Sequence, residues 1–313
     1  MARLFKVLIL LVISAPLGAF AEVRSGDLPA GTRWYLNVDL KQMRESDSGR
    51  ELFNWLDGEV FVEIHEEIGV DIGKETDRFT AFSGTDRGTV ILVEGDITEE
   101  SRNKLLAVAA VQAKLDTLAH KGKTYYRVED TDGKHRAARH EGRNNIAFDG
   151  MEDEAFFSFA VRNKLIVTST AESMQALLDA GGKVAGSGAH TGALFVLTAD
   201  KTFVQAGLKT DDLDDGDEGW KSNIVRNTEQ INLLVSENKD LIAVTAELVS
   251  TDPRMAQSIG AIVNGLVSLQ AFNTELDPEV LAIIQNTRIE VKEKVLSIST
   301  VISPKTVVQA LNN

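Results

Sequence analysis

The densest cluster of metal-competent side chains is KTDDLDDGDEGWKSN, residues 209–223, which holds six carboxylates and two glycines. Hard cations such as Ca²⁺ are held by six to eight oxygens, and an EF-hand loop needs a glycine at its sixth position. Setting Gly216 there puts Asp211 at position one and Asp215 at position five, but Leu213 at three and Ser222 at twelve. The third oxygen and the closing bidentate glutamate are missing. An irregular Ca²⁺ site from Asp211, Asp214, Asp215 and Asp217 is the one metal reading these residues allow. The preferred expectation is a solvated loop and no cofactor.

The other reactive side chains fail on spacing. His65 opens HEEIG, where a zincin helix would need a second histidine and Gly69 stands instead. His135 and His140 lie five residues apart, which sends them to opposite faces of a strand. Ser101 and Lys104 form S-x-x-K, with His190-Thr191-Gly192 as a poor K-T-G, but no S-x-N lies between them. No G-x-S-x-G, phosphate-binding loop or G-x-G-x-x-G occurs. Carboxylates are abundant, so an unrecognised hydrolase using a carboxylate pair stands as one alternative reading.

One segment runs against the acidic grain. From Lys121 to Arg143 the chain carries Lys121, Lys123, Arg127, Lys134, Arg136, Arg139 and Arg143 against four carboxylates, with Tyr125 and Tyr126 among them. Lys123, Arg127, Lys134, Arg136, Arg139, Tyr125 and Tyr126 are therefore the interaction candidates, able to meet an anionic partner face. The plainer expectation is an exposed hairpin whose charges protect its edge.

Composition narrows the partners. The formal net charge is −14. That balance disfavours nucleic acid, whose binding depends on releasing counterions from phosphates with lysine and arginine. Residues 1–21 read as a secretory signal peptide: Arg3 and Lys6, an apolar run from Val7, then Ala19-Phe20-Ala21 as an A-x-A cleavage site. The run before Pro16 falls short of the roughly 18–20 residues that span hydrocarbon, so no transmembrane segment is expected after cleavage. The chain has no cysteine, hence no disulfide and no lipid-attachment thiol. A periplasmic or secreted bacterial protein is expected, stabilised by a core that a 43% hydrophobic content can supply.

The elements that would carry these residues run through one plan twice. TRWYLNVDLK from Thr32 alternates Trp34, Leu36, Val38 and Leu40 with Tyr35, Asn37 and Asp39, the pattern of a half-buried strand. ALFVLTADK from Ala193 lies over it. Two later stretches, from Asp77 and from Glu229, each read strand, turn, strand, threonine, long helix, with Thr98 and Thr251 as expected N-caps. Both halves close with a strand and a short helix capped by Thr170 or Ser303.

Hairpin spacing predicts an α+β fold of two tandem related modules, antiparallel sheets with helices packed on one face. The boundaries expected are 22–181 for the first module, a glycine-rich linker at 182–192, and 193–313 for the second, with the acidic loop 209–223 inside it. The helix from Asp252 to Phe272 and an equivalent one bearing Leu105, Val108, Leu115 and Leu118 are expected to pack on the sheets.

The mature N-terminus, LPAGTRWYLNVDLKQMRESDSGRELFNWL, resembles openings of uncharacterised exported bacterial proteins, in which an L-P-A-x-T lead-in precedes a Y-x-x-V-D-L strand and a helix. Leu28, Pro29, Ala30, Thr32, Tyr35, Val38, Asp39 and Leu40 carry the match over about thirty residues. The resemblance implies an envelope protein with duplicated α+β modules and transfers no catalytic residue. The leading expectation is thus a non-enzymatic protein that binds a protein or another envelope component. A periplasmic carrier of a small apolar ligand, its pocket lined by Phe156, Phe157, Phe159 and Val161, is the other alternative.

Overall fold

The computed structural model describes residues 28–85, 87–129, 154–184, 192–207, 224–270 and 278–312. Helices accompany antiparallel strands, so the fold class is α+β. The described residues divide into two compact units, one within Arg24–Lys41 and Leu56–Ala189, the other within Gln42–Trp55 and His190–Asn313. A short stretch from the N-terminal half therefore belongs with the C-terminal unit.

In the N-terminal unit the strands are β1 Thr32–Asp39, β2 Arg78–Gly84, β3 Gly88–Glu94, β4 Lys114–His120, β5 Lys123–Glu129, β6 Glu154–Ser158 and β7 Lys164–Thr168. They lie in the order β1-β2-β3-β7-β6-β5-β4. Register fixes which side chains share a face. Tyr35, Phe82, Val90 and Thr168 stand opposite one another across β1, β2, β3 and β7. All four are essentially inaccessible to solvent. The α-helix Ala171–Asp179 supplies Met174, Leu177 and Leu178 as further core.

β1 departs from the half-buried expectation. Its apolar face buries Trp34, but Tyr35 and Asn37 on the supposedly solvated face are buried too. Thr80 donates its hydroxyl to Asn37 Oδ1 at 3.0 Å, which satisfies the Asn37 oxygen there.

The helix Glu99–Gln112 begins as expected: the Thr98 hydroxyl accepts the Ser101 N–H at 3.1 Å. It ends sooner than expected, at an extended Ala113, so Leu115 and Leu118 belong to β4 rather than to the helix. Leu115 and Leu118 fall an odd number of residues apart and sit on opposite faces of that strand.

The C-terminal unit has β8 Ala193–Asp200, β9 Thr228–Asn238, β10 Leu241–Ser250, β11 Arg288–Lys292 and β12 Val295–Ile302, in the order β8-β9-β10-β12-β11. Numbering helices from the N-terminus, α1 is Leu40–Glu45, α2 Asp47–Leu56, α3 Val62–Ile68, α4 Ile72–Glu75, α5 Glu99–Gln112, α6 Ala171–Asp179, α7 Lys201–Gly207, α8 Pro253–Gln270, α9 Pro278–Gln285 and α10 Pro304–Asn312. A π-helical turn, Asp57–Phe61, joins α2 to α3.

Ser46 caps α2 through the Gly49 N–H at 2.9 Å. The helix is tied to the C-terminal unit by Trp55 Nε1, which donates to Asn312 Oδ1 at 2.8 Å.

α8 is capped by Asp252, not Thr251. Its carboxylate accepts the N–H groups of Arg254 at 2.8 Å and Met255 at 3.0 Å, and Pro253 takes the first helical position. The helix packs Ile259 against Leu296 and Ile298, with Leu248, Ile289 and Val291 around them. Gly260 permits the close approach: a Cβ there would come within 2.6 Å of Val291 Cγ2. Core contact continues to Val263, but Ile262, Leu266 and Leu269 are 41%, 46% and 70% exposed. That corrects the expectation of a helix packed along its length.

Candidate functional site

The acidic candidates Asp211, Asp214, Asp215 and Asp217, and the basic candidates Lys134, Arg136 and Arg139, lie outside the described residues. Among the described residues no group of three or more histidine, aspartate or glutamate side chains comes together to hold a metal.

The remaining basic candidates are on β5, and the protein uses them internally. Lys123 donates to the Leu178 carbonyl at the end of α6. Arg127 pairs with Glu154 and lies 3.6 Å from Glu129 and 3.9 Å from Asp116. The Glu154 hydrogen bond is the main influence holding the Arg127 guanidinium above its ordinary pKa. Tyr125 is buried, with its hydroxyl accepting from Gln175 Nε2 at 3.2 Å. Tyr126 stacks on Phe157 at 5.1 Å between centroids.

The aromatic set proposed for an apolar pocket divides in the same way. Phe156 meets Tyr125, whereas Phe157 meets Phe159 edge-on. Successive strand residues point to opposite faces, so these rings cannot line one pocket. His65 sits on α3, where Gly69 adopts a left-handed conformation and terminates the helix. The Ser101 hydroxyl is hydrogen-bonded to Glu75 at 2.7 Å, and Lys104 binds the Gly69 carbonyl at 2.9 Å and Glu100 at 2.7 Å. Both members of S-x-x-K are occupied in holding α5 to its neighbours.

A polar cleft forms elsewhere, at the end of the sheet face that carries Tyr35. The register sets Asp39, Arg78, Glu94 and Lys164 directly opposite one another on β1, β2, β3 and β7. Charge alternates along this row, which is the arrangement that stabilises cross-strand neighbours. Arg78 Nη2 lies 2.7 Å from Asp39, Arg78 Nη1 3.9 Å from Glu94, and Lys164 Nζ 2.5 Å from Glu94. Burial opposes the Arg78 charge, but the Asp39 hydrogen bond and the surrounding acidic groups outweigh it and hold the guanidinium above its usual value.

One step inward, Asn37, Thr80 and Leu92 stand opposite one another on the same face. The cleft between these two rows and the chain Gly182–Val184 has a volume of about 260 Å³ and is lined by Asn37, Arg78, Thr80, Leu92, Glu94, Lys164 and Gly182–Val184.

The roof is set by the end of α6. The Gly182 N–H reaches back to the Leu177 carbonyl at 2.7 Å and that of Gly181 to Leu178 at 3.2 Å. Both glycines have positive φ, 63° at Gly181 and 70° at Gly182. This is the helix ending that glycine favours. Lys164 then donates to the Gly182 carbonyl at 3.1 Å, tying roof to floor. A Cβ at Gly182 would meet Lys164 Cδ at 2.9 Å. The sequence offered part of this site: Asn37 and Asp39 share a strand face, and Gly182 opens the glycine-rich stretch. It offered no reason to join them to Arg78, Glu94 and Lys164.

No protein-family model matches the chain, and no curated protein matches it. Solved structures do. The chain is similar to TP0453 in its crystal form III, with a TM-score of 0.50, 11% identity, and coverage of 94% of this chain and 99% of that one. Crystal form IV of TP0453 aligns at a TM-score of 0.46 and 10% identity, over 92% and 96% of the two chains. The likeness is one of fold.

Proposed function

We propose that this is an exported binding protein of the bacterial envelope, built from two related α+β modules, whose binding centre is the polar cleft of the N-terminal unit. The residues 1–21 support export, since their charged start, apolar run and A-x-A end have the order of a signal peptide. The repeated order of elements supports duplication: β1-β2-β3-β7-β6 in one unit parallels β8-β9-β10-β12-β11 in the other. In each, a helix follows the third strand and another follows the last.

The observation that carries the binding reading is the state of Asn37. Asn37 is 4% exposed overall, its oxygen is taken by Thr80, and its amide nitrogen, which makes no hydrogen bond among the described residues, lines the cleft at its solvent-accessible side. A ligand acceptor placed there would gain a hydrogen bond that no protein group competes for. The surrounding charges are fixed in advance by their ion pairs, which lowers the ordering cost of binding. The same polar lining argues against the apolar-ligand carrier.

The test is native mass spectrometry of protein taken directly from the envelope, with Asn37→Leu alongside. Additional mass on the parent protein that the variant lacks is the expected result. Bare protein in both samples, or turnover of an ester, peptide or glycoside by the pure mature chain, would overturn the reading. The denatured mass separately checks cleavage after Ala21.

A further inference from the structure

The charges that line the cleft run opposite to those of the chain. Arg78, Lys164 and Lys183 contribute three cations and Glu94 one anion. Counting Asp39, which partners Arg78 at 2.7 Å, still leaves one positive charge over. The protein as a whole carries −14. A cationic pocket in an anionic protein attracts a specific anion while the surrounding surface repels polyanions.

Lys183 makes no ion pair among the described residues and is exposed. Lys164 is already committed to Glu94 and the Gly182 carbonyl. The uncommitted donors are therefore Lys183 and the Asn37 amide.

Size and the remaining lining restrict the ligand. About 260 Å³ lies below the roughly 300–1,000 Å³ typical of drug-sized sites. Leu92 and Val184, 4% and 7% exposed, are the apolar residues of the lining. One excess positive charge calls for one negative charge, and two apolar contacts call for a short hydrocarbon portion.

We propose that the cleft binds a small monocarboxylate, its carboxylate received by Lys183 and the Asn37 amide and its short chain lying against Leu92 and Val184. This rests on the binding reading above and names its ligand class. The carboxylate accepts a hydrogen bond from the amide that the fold leaves unpaired, and Glu94 stays occupied by Lys164 so that it does not repel the ligand. A dianion would leave the lining over-neutralised.

The test is a titration of the ¹⁵N-labelled mature protein with butanoate, followed by NMR at constant ionic strength. Butan-1-ol, butylamine and inorganic phosphate serve as matched probes. The expected result is a saturable shift of the Asn37 side-chain amide with butanoate, at least tenfold stronger than with any other probe, and weakening as salt is raised. Lys183→Met, which changes an exposed side chain, should weaken butanoate binding about tenfold, as expected for loss of a charge-assisted contact, with spectral changes confined to the cleft. Asn37→Leu should abolish the binding.

Saturable phosphate binding equal to or tighter than that of butanoate overturns the ligand class. No saturable shift with butanoate, or full binding by Lys183→Met, overturns the proposal. An envelope-derived adduct that Asn37→Leu loses, alongside failure of butanoate, refutes the monocarboxylate and leaves the binding reading standing.

Discussion

Ser48 donates its hydroxyl to Glu237 Oε1 at 2.8 Å, joining residues 189 positions apart. Gln42 reaches the other oxygen of the same carboxylate at 3.4 Å. These contacts explain why Gln42–Trp55 counts with the C-terminal unit although β1 and β2, which flank it in sequence, do not. Because Ser48 is 1% exposed, its hydroxyl has no water to turn to when the acceptor is removed. Glu237→Ala should cost about 1–3 kcal/mol, the range for stranding a buried donor of a charge-assisted bond. Glu237→Gln, which keeps an acceptor oxygen, should cost less. Chemical denaturation measures both, and hydrogen exchange should show α2 amides losing protection before those of β1.

The cap of α8 gives a second expectation. Asp252 accepts two orphan N–H groups of the first turn, whereas the Thr251 hydroxyl makes only a 3.5 Å contact to Asn227 Oδ1. Asp252→Ala should therefore lower stability by about 1 kcal/mol, and Thr251→Ala by less than half of that. In α5 the order reverses, since Thr98 is the cap and Thr98→Ala should carry the full loss of about 1 kcal/mol. Equal effects at Thr251 and Asp252 would refute the assignment.

The caps also mark what could be read from the sequence. Thr98, Thr170 and Ser303 were legible because an N-cap bond spans three residues and depends on nothing farther away. The antiparallel α+β class followed from alternation and hairpin spacing for the same reason. The end of α5 was misread because Leu105, Val108, Leu115 and Leu118 also fit a helical stripe, and only the strand partners of Lys114–His120 break the tie. The cleft depends on register. Asp39, Arg78, Glu94 and Lys164 come from four strands, and a slip of one residue would turn any of them to the other face. Charge was equally visible at Lys123 and Arg127, but their partners, the Leu178 carbonyl and Glu154, lie far along the chain.

The turn that follows β3 holds Glu94 in the charge row, and its tolerance can be measured. A Cβ at Gly95 would stand 2.0 Å from the Glu75 carbonyl oxygen and 2.9 Å from the backbone of Thr76 and Asp77. Backbone cannot swing aside as a side-chain tip can. Gly95→Ala should cost at least the roughly 1–3 kcal/mol of ordinary overpacking. Gly58 is the control: beyond its chain neighbours and its own helix backbone, nothing lies within 4 Å of its would-be Cβ. It sits in a helical turn, so Gly58→Ala should be stabilising by about 0.5–1 kcal/mol through reduced entropy of the unfolded chain. Thermal unfolding of the two variants should shift in opposite directions.

Tyr35 links the core to the charge row in a way that alkaline titration can expose. Burial pushes its hydroxyl pKa from 10.0 up to about 12, with Arg78 pulling it down and Glu94 adding to the rise. Folding therefore favours the protonated phenol. The associated stability is complete below pH 10, where the unfolded chain is also protonated, and is lost as pH rises through about 12. Two units correspond to about 2–3 kcal/mol at most. Phenolate absorbance should show an upward-displaced transition that is absent from Tyr35→Phe. The decline in unfolding free energy from pH 10 toward 12 should flatten in that variant. A Tyr35→Phe protein that loses stability over this interval as steeply as the parent would show that another group carries the alkaline transition.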